Sequence, residues 1–259
     1  MNIYSPNLAS YPSLTERTVF ITGGATGIGE NMVVGFCRQK SKVCFIDIKG
    51  DEGRQLCDKA EQETGCRPLF FQCDLRDVDS LKEVIEETRK QLGNIAVLIN
   101  NAAQDTRVDI SNVTVELWDD QIAVNLRPAF FASQMVYPQM KELGYGSIIN
   151  FGSVCWHMKQ SQMHAYSAAK SAMTGLTRSL ARDFGPIGIR VNTLVPGWVM
   201  TKRQKERYVD ETTEKWINEN QCLKRSVMPD DVANLAMFLA ADDSSMISAE
   251  TFVVDGGLV

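Results

Sequence analysis

The chain has 259 residues, 44% of them hydrophobic and 23% charged, which fits a folded globular protein and excludes a disordered one. Its length matches one large domain or two small ones. A net charge of −5 leaves no broad basic field, which argues against nucleic acid as a main partner.

Residues 1–16 are polar and broken by proline, and read as an N-terminal tail with neither the basic start nor the apolar core of a secretion signal. Thr18–Thr22 then reads as a buried strand and Ile28–Lys40 as a helix. Strand Lys42–Asp47 and helix Glu52–Glu63 follow, then strand Leu69–Cys73 and helix Ser80–Leu92. Ala96–Asn100 is a strand, and Val115–Leu143 a long helical stretch expected to be interrupted near Pro128 and Pro138. Ser147–Phe151, helix His164–Phe184 and strand Arg190–Val195 come next, then a polar stretch, helix Asp230–Ala241 and strand Thr251–Val254. The strands are near-continuous apolar runs, as in sheets covered on both faces, and strict alternation with helices predicts a doubly wound parallel α/β sheet. No composition break marks a second domain, so residues 17–259 read as one domain. The insertion around residues 198–222 reads as a lid.

The longest charge-free run, Leu143 to Met158, has 16 residues and three glycines, too short and broken for a membrane span. The seven cysteines are odd in number and none are spaced C-x-x-C, which points to free thiols and a cytoplasmic location. Two histidines, His157 and His164, offer little for a metal centre, and none is expected.

Chemistry concentrates in two places. The first strand runs into Thr22-Gly23-Gly24-Ala25-Thr26-Gly27-Ile28-Gly29, directly before a helix. Glycines there let the backbone approach a pyrophosphate, and the helix N-terminus offers free N–H groups. Gly24 and Gly29 have nucleotide-triphosphatase spacing, but Glu30 stands where that chemistry needs lysine. Asp47, at the end of the second strand, is placed to accept ribose hydroxyls and repel a 2′-phosphate, which favours NAD over NADP. Further on, Tyr166 and Lys170 are spaced i, i+4 and share a helix face, where an ammonium favours the phenolate of a general acid/base. Ser153, just past a strand end, can hydrogen-bond a reacting oxygen. Gly152-Ser153 is not a nucleophile elbow, and Cys155 with His157 is not spaced as a catalytic pair.

From Thr18 to Gly257 the chain resembles the short-chain dehydrogenase/reductase family in its single-domain branch. Thr22 to Gly29 resembles the cofactor loop, with Gly23, Thr26, Gly27, Ile28 and Gly29 as cofactor contacts. Asp74-Leu75 resembles the pair at the adenine. Asn100-Asn101-Ala102-Ala103 resembles the Asn-Asn-Ala-Gly segment, with Ala103 replacing glycine and Asn101 as a cofactor contact. Pro196-Gly197 with Val199 and Thr201 resembles the segment that holds the nicotinamide amide. Asn125, Ser153, Tyr166 and Lys170 align with the catalytic tetrad: Tyr166 as acid/base, Lys170 binding the ribose, Ser153 positioning the reacting oxygen, Asn125 holding a relay water. The resemblance implies a Rossmann-type seven-stranded sheet and a homotetramer.

Several strings, among them Val124-Asn125-Leu126-Arg127, Trp156-His157 and Thr201-Lys202-Arg203-Gln204, are similar to bacterial pentose 1-dehydrogenases. They imply hydride transfer from a sugar hydroxyl to NAD. Gln104, Ser153, Trp156, Tyr166, Trp198 and Arg203 are the expected substrate contacts, with Arg203 able to hold a carboxylate if the lid folds inward. Two alternatives stay open: a dehydrogenase of 2-keto-3-deoxy sugar acids or another secondary alcohol, and a non-catalytic NAD-binding regulator.

Overall fold

The computed structural model describes residues 9–259. Seven strands form one parallel sheet in the order β3-β2-β1-β4-β5-β6-β7: β1 (Thr18–Thr22), β2 (Lys42–Asp47), β3 (Leu69–Gln72), β4 (Ile95–Asn100), β5 (Gly146–Phe151), β6 (Ile189–Pro196) and β7 (Thr251–Val254). Alternation sends Val19 and Ile21 of β1 into one core and Phe20 into the other. The first core is closed by α1 (Ile28–Arg38), α2 (Gly50–Thr64) and α9 (Pro229–Ala240). The second is closed by α3 (Val78–Leu92), α5 (Arg127–Leu143) and α6 (His164–Phe184). With every central strand buried on both faces, the polar–apolar alternation of a half-wet strand is absent, which is why the runs are legible as continuous.

Winding proceeds outward from β1 through β2 to β3, then returns to β4 on the other side. The connections therefore diverge at β1 and β4, and a crevice opens at their carboxyl ends. The loops after β1, β4, β5 and β6 all reach that end.

The long helical stretch divides into α4 (Val115–Asn125) and α5, with the turn at Leu126, at φ −134° and ψ −55°. Pro128 sits in the first turn of α5, where no N–H is needed. Pro138 does not interrupt α5. The carbonyl it frees belongs to Gln134, both residues are exposed, and water can satisfy it, while Val136 and Met140 hold the helix in the core.

The expected 16-residue tail lies partly outside the described residues. Of the rest, Pro12–Leu14 forms a 3-10 turn with Leu14 wholly buried against the first core. The Ser41 hydroxyl donates to the Leu14 carbonyl (2.8 Å) and the Tyr11 N–H to the Gln39 amide oxygen (2.8 Å). The segment is thus docked on the end of α1. Among the described residues, no helix is long and apolar enough to cross a membrane.

Candidate active site

Gly27 caps α1 at φ +63° with no side-chain cap. The N–H groups of Gly27, Ile28 and Gly29 have no acceptor among the described residues. A Cβ on Gly29 would fall onto the Gly23 carbonyl oxygen, so glycine is required for the loop to close this tightly. The result is an uncapped helix N-terminus with bare backbone before it, which fits an anionic pyrophosphate.

The polar side chains around this loop hold it in shape. Asn101 donates to the carbonyls of Thr22 (3.0 Å) and Gly23 (2.9 Å). Asp47 accepts from the Ala25 N–H (3.0 Å) through one carboxylate oxygen and from the Lys49 N–H (3.1 Å) through the other. Asp47 therefore braces the loop while keeping free lone pairs at the end of β2. Leu75 is buried, and the Asp74 carboxylate accepts from Arg76 (3.2 Å).

A cavity of about 160 Å³ lies beside the loop, lined by Ile28, Val199 and Thr201 together with Ser153, Tyr166 and Trp198. Ser153 caps a 3-10 turn, its hydroxyl accepting from the Cys155 N–H (3.2 Å), and it hydrogen-bonds Tyr166. Tyr166 and Lys170 share one face of α6, with the Lys170 Nζ 5.9 Å from the Tyr166 ring centroid. Nζ donates to the Phe151 carbonyl at 2.8 Å. Burial pushes the Tyr166 phenol well above its ordinary value, and the Ser153 hydrogen bond pulls it partly back. Burial lowers the Lys170 ammonium from 10.5 to about 8.

Asn125 is buried at the end of α4. Its side chain accepts from the Gln104 N–H (2.8 Å) and donates to the Gln104 carbonyl (3.1 Å) and the Gln121 amide oxygen (3.1 Å). The helix break beside it has a chemical consequence. The Ala129 N–H, which would meet the Asn125 carbonyl in a continuous helix, goes to Leu126 instead, and the Asn125 carbonyl is released.

Two expected substrate contacts lie away from the cavity. The Gln104 amide oxygen accepts from Arg76 (3.1 Å) and its NH₂ donates to Thr106 (3.1 Å), because Arg76, paired with Asp120, draws the side chain off. Trp156 is 38% exposed and stacked on His157 at 3.5 Å, because the 3-10 turn buries Val154 and Cys155 and turns the next residue outward. Arg203 does not line the cavity, and its guanidinium is bound to Asp105, which does, so it is not a free carboxylate anchor. Asp105 also accepts from Gln204 (2.9 Å), which ties the segment after β4 to α7 (Lys202–Arg207) in the 198–222 insertion. The second helix of that insertion, α8 (Glu211–Asn220), anchors through buried Ile217.

Arg107, Gln160 and Gln204 line the cavity and have no place among the sequence-derived contacts. For Arg107 a signal was present: it follows Asp105 by two, and alternate side chains of an extended segment share a side. Among the described residues, no group of three His, Cys, Asp or Glu side chains is placed to hold a metal.

Residues 23–259 match the family model described as enoyl-(acyl carrier protein) reductase. The chain is 42% identical over 250 residues to a D-xylose 1-dehydrogenase of Caulobacter vibrioides, covering 96% of this chain and 98% of that protein. It is 41% identical, with the same coverage, to a Rhizobium meliloti protein named "probable galactose dehydrogenase". Among solved structures, the 3-oxoacyl-[acyl-carrier protein] reductase of Brucella melitensis superposes with a TM-score of 0.91 at 27% identity, covering 100% of this chain and 98% of that one. A family match over nearly the whole chain, on a parallel sheet with an uncapped helix at its switch point, places this chain in the short-chain dehydrogenase/reductase family, oxidoreductases that work with a nicotinamide nucleotide.

Proposed function

We propose that the chain is an NAD-dependent aldose 1-dehydrogenase, oxidising the anomeric C–OH of a sugar to a lactone. The observation that carries this reading is the placing of Ser153 and Tyr166, with Lys170 on the same helix face as Tyr166, on a cavity of mixed polar and apolar lining beside the uncapped end of α1. The names of the two sugar-dehydrogenase relatives support it. Asp47 supports NAD: its carboxylate sits at the end of β2, where a 2′-phosphate would meet negative charge, and exposed Ile48 follows it rather than an arginine.

The bound nicotinamide nucleotide would supply the hydride acceptor, held by the N–H groups of Gly27, Ile28 and Gly29 and by the segment around Val199 and Thr201. Ser153 donates a hydrogen bond to the reacting oxygen and fixes its position. Tyr166 takes that oxygen's proton. The Lys170 ammonium favours the phenolate by charge. The carbonyl of Asn125, released by the helix break, supplies an acceptor for the water that refills the proton relay. A homotetramer is the proposed assembly, supported by exposed apolar side chains on α4 and α5, Trp118 and Phe130 among them. The cytoplasm is the proposed location, since seven free thiols suit a reducing compartment.

The test is NADH formation against neutral pentoses and hexoses beside sugar acids and 2-keto-3-deoxy acids, run with Tyr166→Phe in parallel. Turnover of a neutral aldose is expected, abolished in Tyr166→Phe with NAD binding retained. Turnover confined to the acids overturns the aldose assignment, and unchanged kcat in the variant removes Tyr166 as the base.

A further inference from the structure

Asp105 and Arg107 stand two residues apart on the segment after β4, and both line the cavity. Their surroundings differ. Both carboxylate oxygens of Asp105 are taken by the lid, one by Arg203 and one by Gln204. Arg107 makes no hydrogen bond or ion pair with the described residues, and is held instead by stacking on the Tyr208 ring of the lid, 4.1 Å from its centroid. Its Nε–H is buried with no acceptor, and so is the Nε1–H of Trp198 on the same cavity. A buried donor left unmet costs about 1–3 kcal/mol, so two of them favour any side-chain turn that presents them to incoming oxygens.

We propose that Arg107 is a specificity-determining residue that, with Trp198 as a second donor, binds neighbouring hydroxyl oxygens of a neutral sugar at carbons other than the one oxidised. This rests on the aldose reading above and deepens it. A guanidinium held over an aromatic ring keeps its N–H groups in a rigid planar fork, suited to two adjacent oxygens. Asp105 and Arg203 neutralise each other, so the choice of hydroxyls over a carboxylate rests on the aldose reading and on the uncharged neighbours of the guanidinium. The remaining polar neighbours, Gln160 and Trp198, are uncharged.

The test is a cycle crossing enzyme variants with monodeoxy versions of the best aldose substrate. In the parental enzyme, loss of a hydroxyl read by Arg107 is expected to lower kcat/KM by about tenfold or more, because the donors are left unmet again. In Arg107→Gln and Arg107→Ala that same deletion is expected to cost no more than about twofold, while deletions elsewhere keep their parental penalties and the NAD dissociation constant is unchanged. Arg107→Lys should recover only part of the discrimination. Identical penalties in parent and variants overturn the proposal alone. A parental preference for uronic acids that Arg107→Gln abolishes overturns the hydroxyl assignment in favour of a carboxylate. Absence of turnover on every aldose by the parental enzyme overturns the aldose reading and this proposal with it.

Discussion

Lys170 is a buried ammonium whose cost to the fold can be worked out and measured. Its value falls from 10.5 to about 8 through burial, and about 2.5 units at about 1.36 kcal/mol each amount to roughly 3 kcal/mol. Removing the amine leaves the Phe151 carbonyl without its donor, which offsets about 1–3 kcal/mol of the gain. Lys170→Met, of similar volume and uncharged, is therefore expected to be as stable as the parent or up to ~2 kcal/mol more stable near neutral pH, while losing activity. The pH dependence gives the sign. Below about pH 8 the amine is protonated in both folded and unfolded chains, and the full cost of the buried charge is present. Between about 8 and 10.5 the unfolded chain keeps a proton that the folded one has released, so parental stability rises with pH at about 1.4 kcal/mol per unit. Urea denaturation of both proteins at pH near 7 and near 9.5 isolates this group, because every other titration is shared. The variant's advantage should shrink by roughly 2 kcal/mol between those conditions. A difference that stays constant would mean that the folded-state amine is not depressed, and the burial argument would fail.

Two further perturbations address the loop and the lid. Asp47→Ala is expected to raise the NADP-to-NAD ratio of kcat/KM by about 10–100-fold, the worth of a charged hydrogen bond at the 2′ position. Because Asp47 also holds the Ala25 N–H, the variant should bind NAD more weakly as well, so only the ratio reports on selectivity, and an unmoved ratio refutes the assignment. Asp105→Asn breaks the ion pair to Arg203, half-exposed on the lid side and worth up to about 1 kcal/mol. It should raise the sugar KM by a few fold and leave NAD binding unchanged; an unaltered KM would show that the contact does not hold the lid over the substrate.

Order and identity of the strands were legible because each β–α unit states its own period, and burial on both faces leaves uninterrupted apolar runs such as Val19–Ile21 and Val43–Ile46. The glycine loop was legible for a local reason too, since tight closure over Gly23 leaves no room for a Cβ on Gly29. Side-chain direction was not. Gln104 lies close to the site in sequence, yet Arg76, itself fixed by Asp120, turns it away. Trp156 follows Ser153 by three, but the turn that Ser153 caps faces it outward. Arg203 and Asp105 are 98 positions apart, and nothing local to either shows that they would neutralise each other. Pro138 misled in the opposite sense: a helix is broken only if the freed carbonyl goes unsatisfied, and Gln134 is exposed to water.

The pattern of satisfied and unsatisfied hydrogen bonds separates the parts of the site that build it from the parts left for ligands. Asn101 spends its amide on Thr22 and Gly23, Asn125 on Gln104 and Gln121, Asp47 on Ala25 and Lys49, and Asp105 on the lid. Each of these ties one loop at the sheet's carboxyl end to another element, so the loops are positioned before anything binds. The groups that remain unmet include the N–H groups at the start of α1, the Nε–H of Arg107 and the indole N–H of Trp198, beside the Asn125 carbonyl as an acceptor. Unmet donors suit oxygen-rich ligands, which under the proposed function are phosphate at the start of α1 and sugar hydroxyls at Arg107 and Trp198. This distribution distinguishes a catalyst from a binding protein of the same fold. A sensor would need the donors of α1, and could use Lys170 at the ribose, but has no use for a phenol placed with Ser153 on the cavity wall to move a proton.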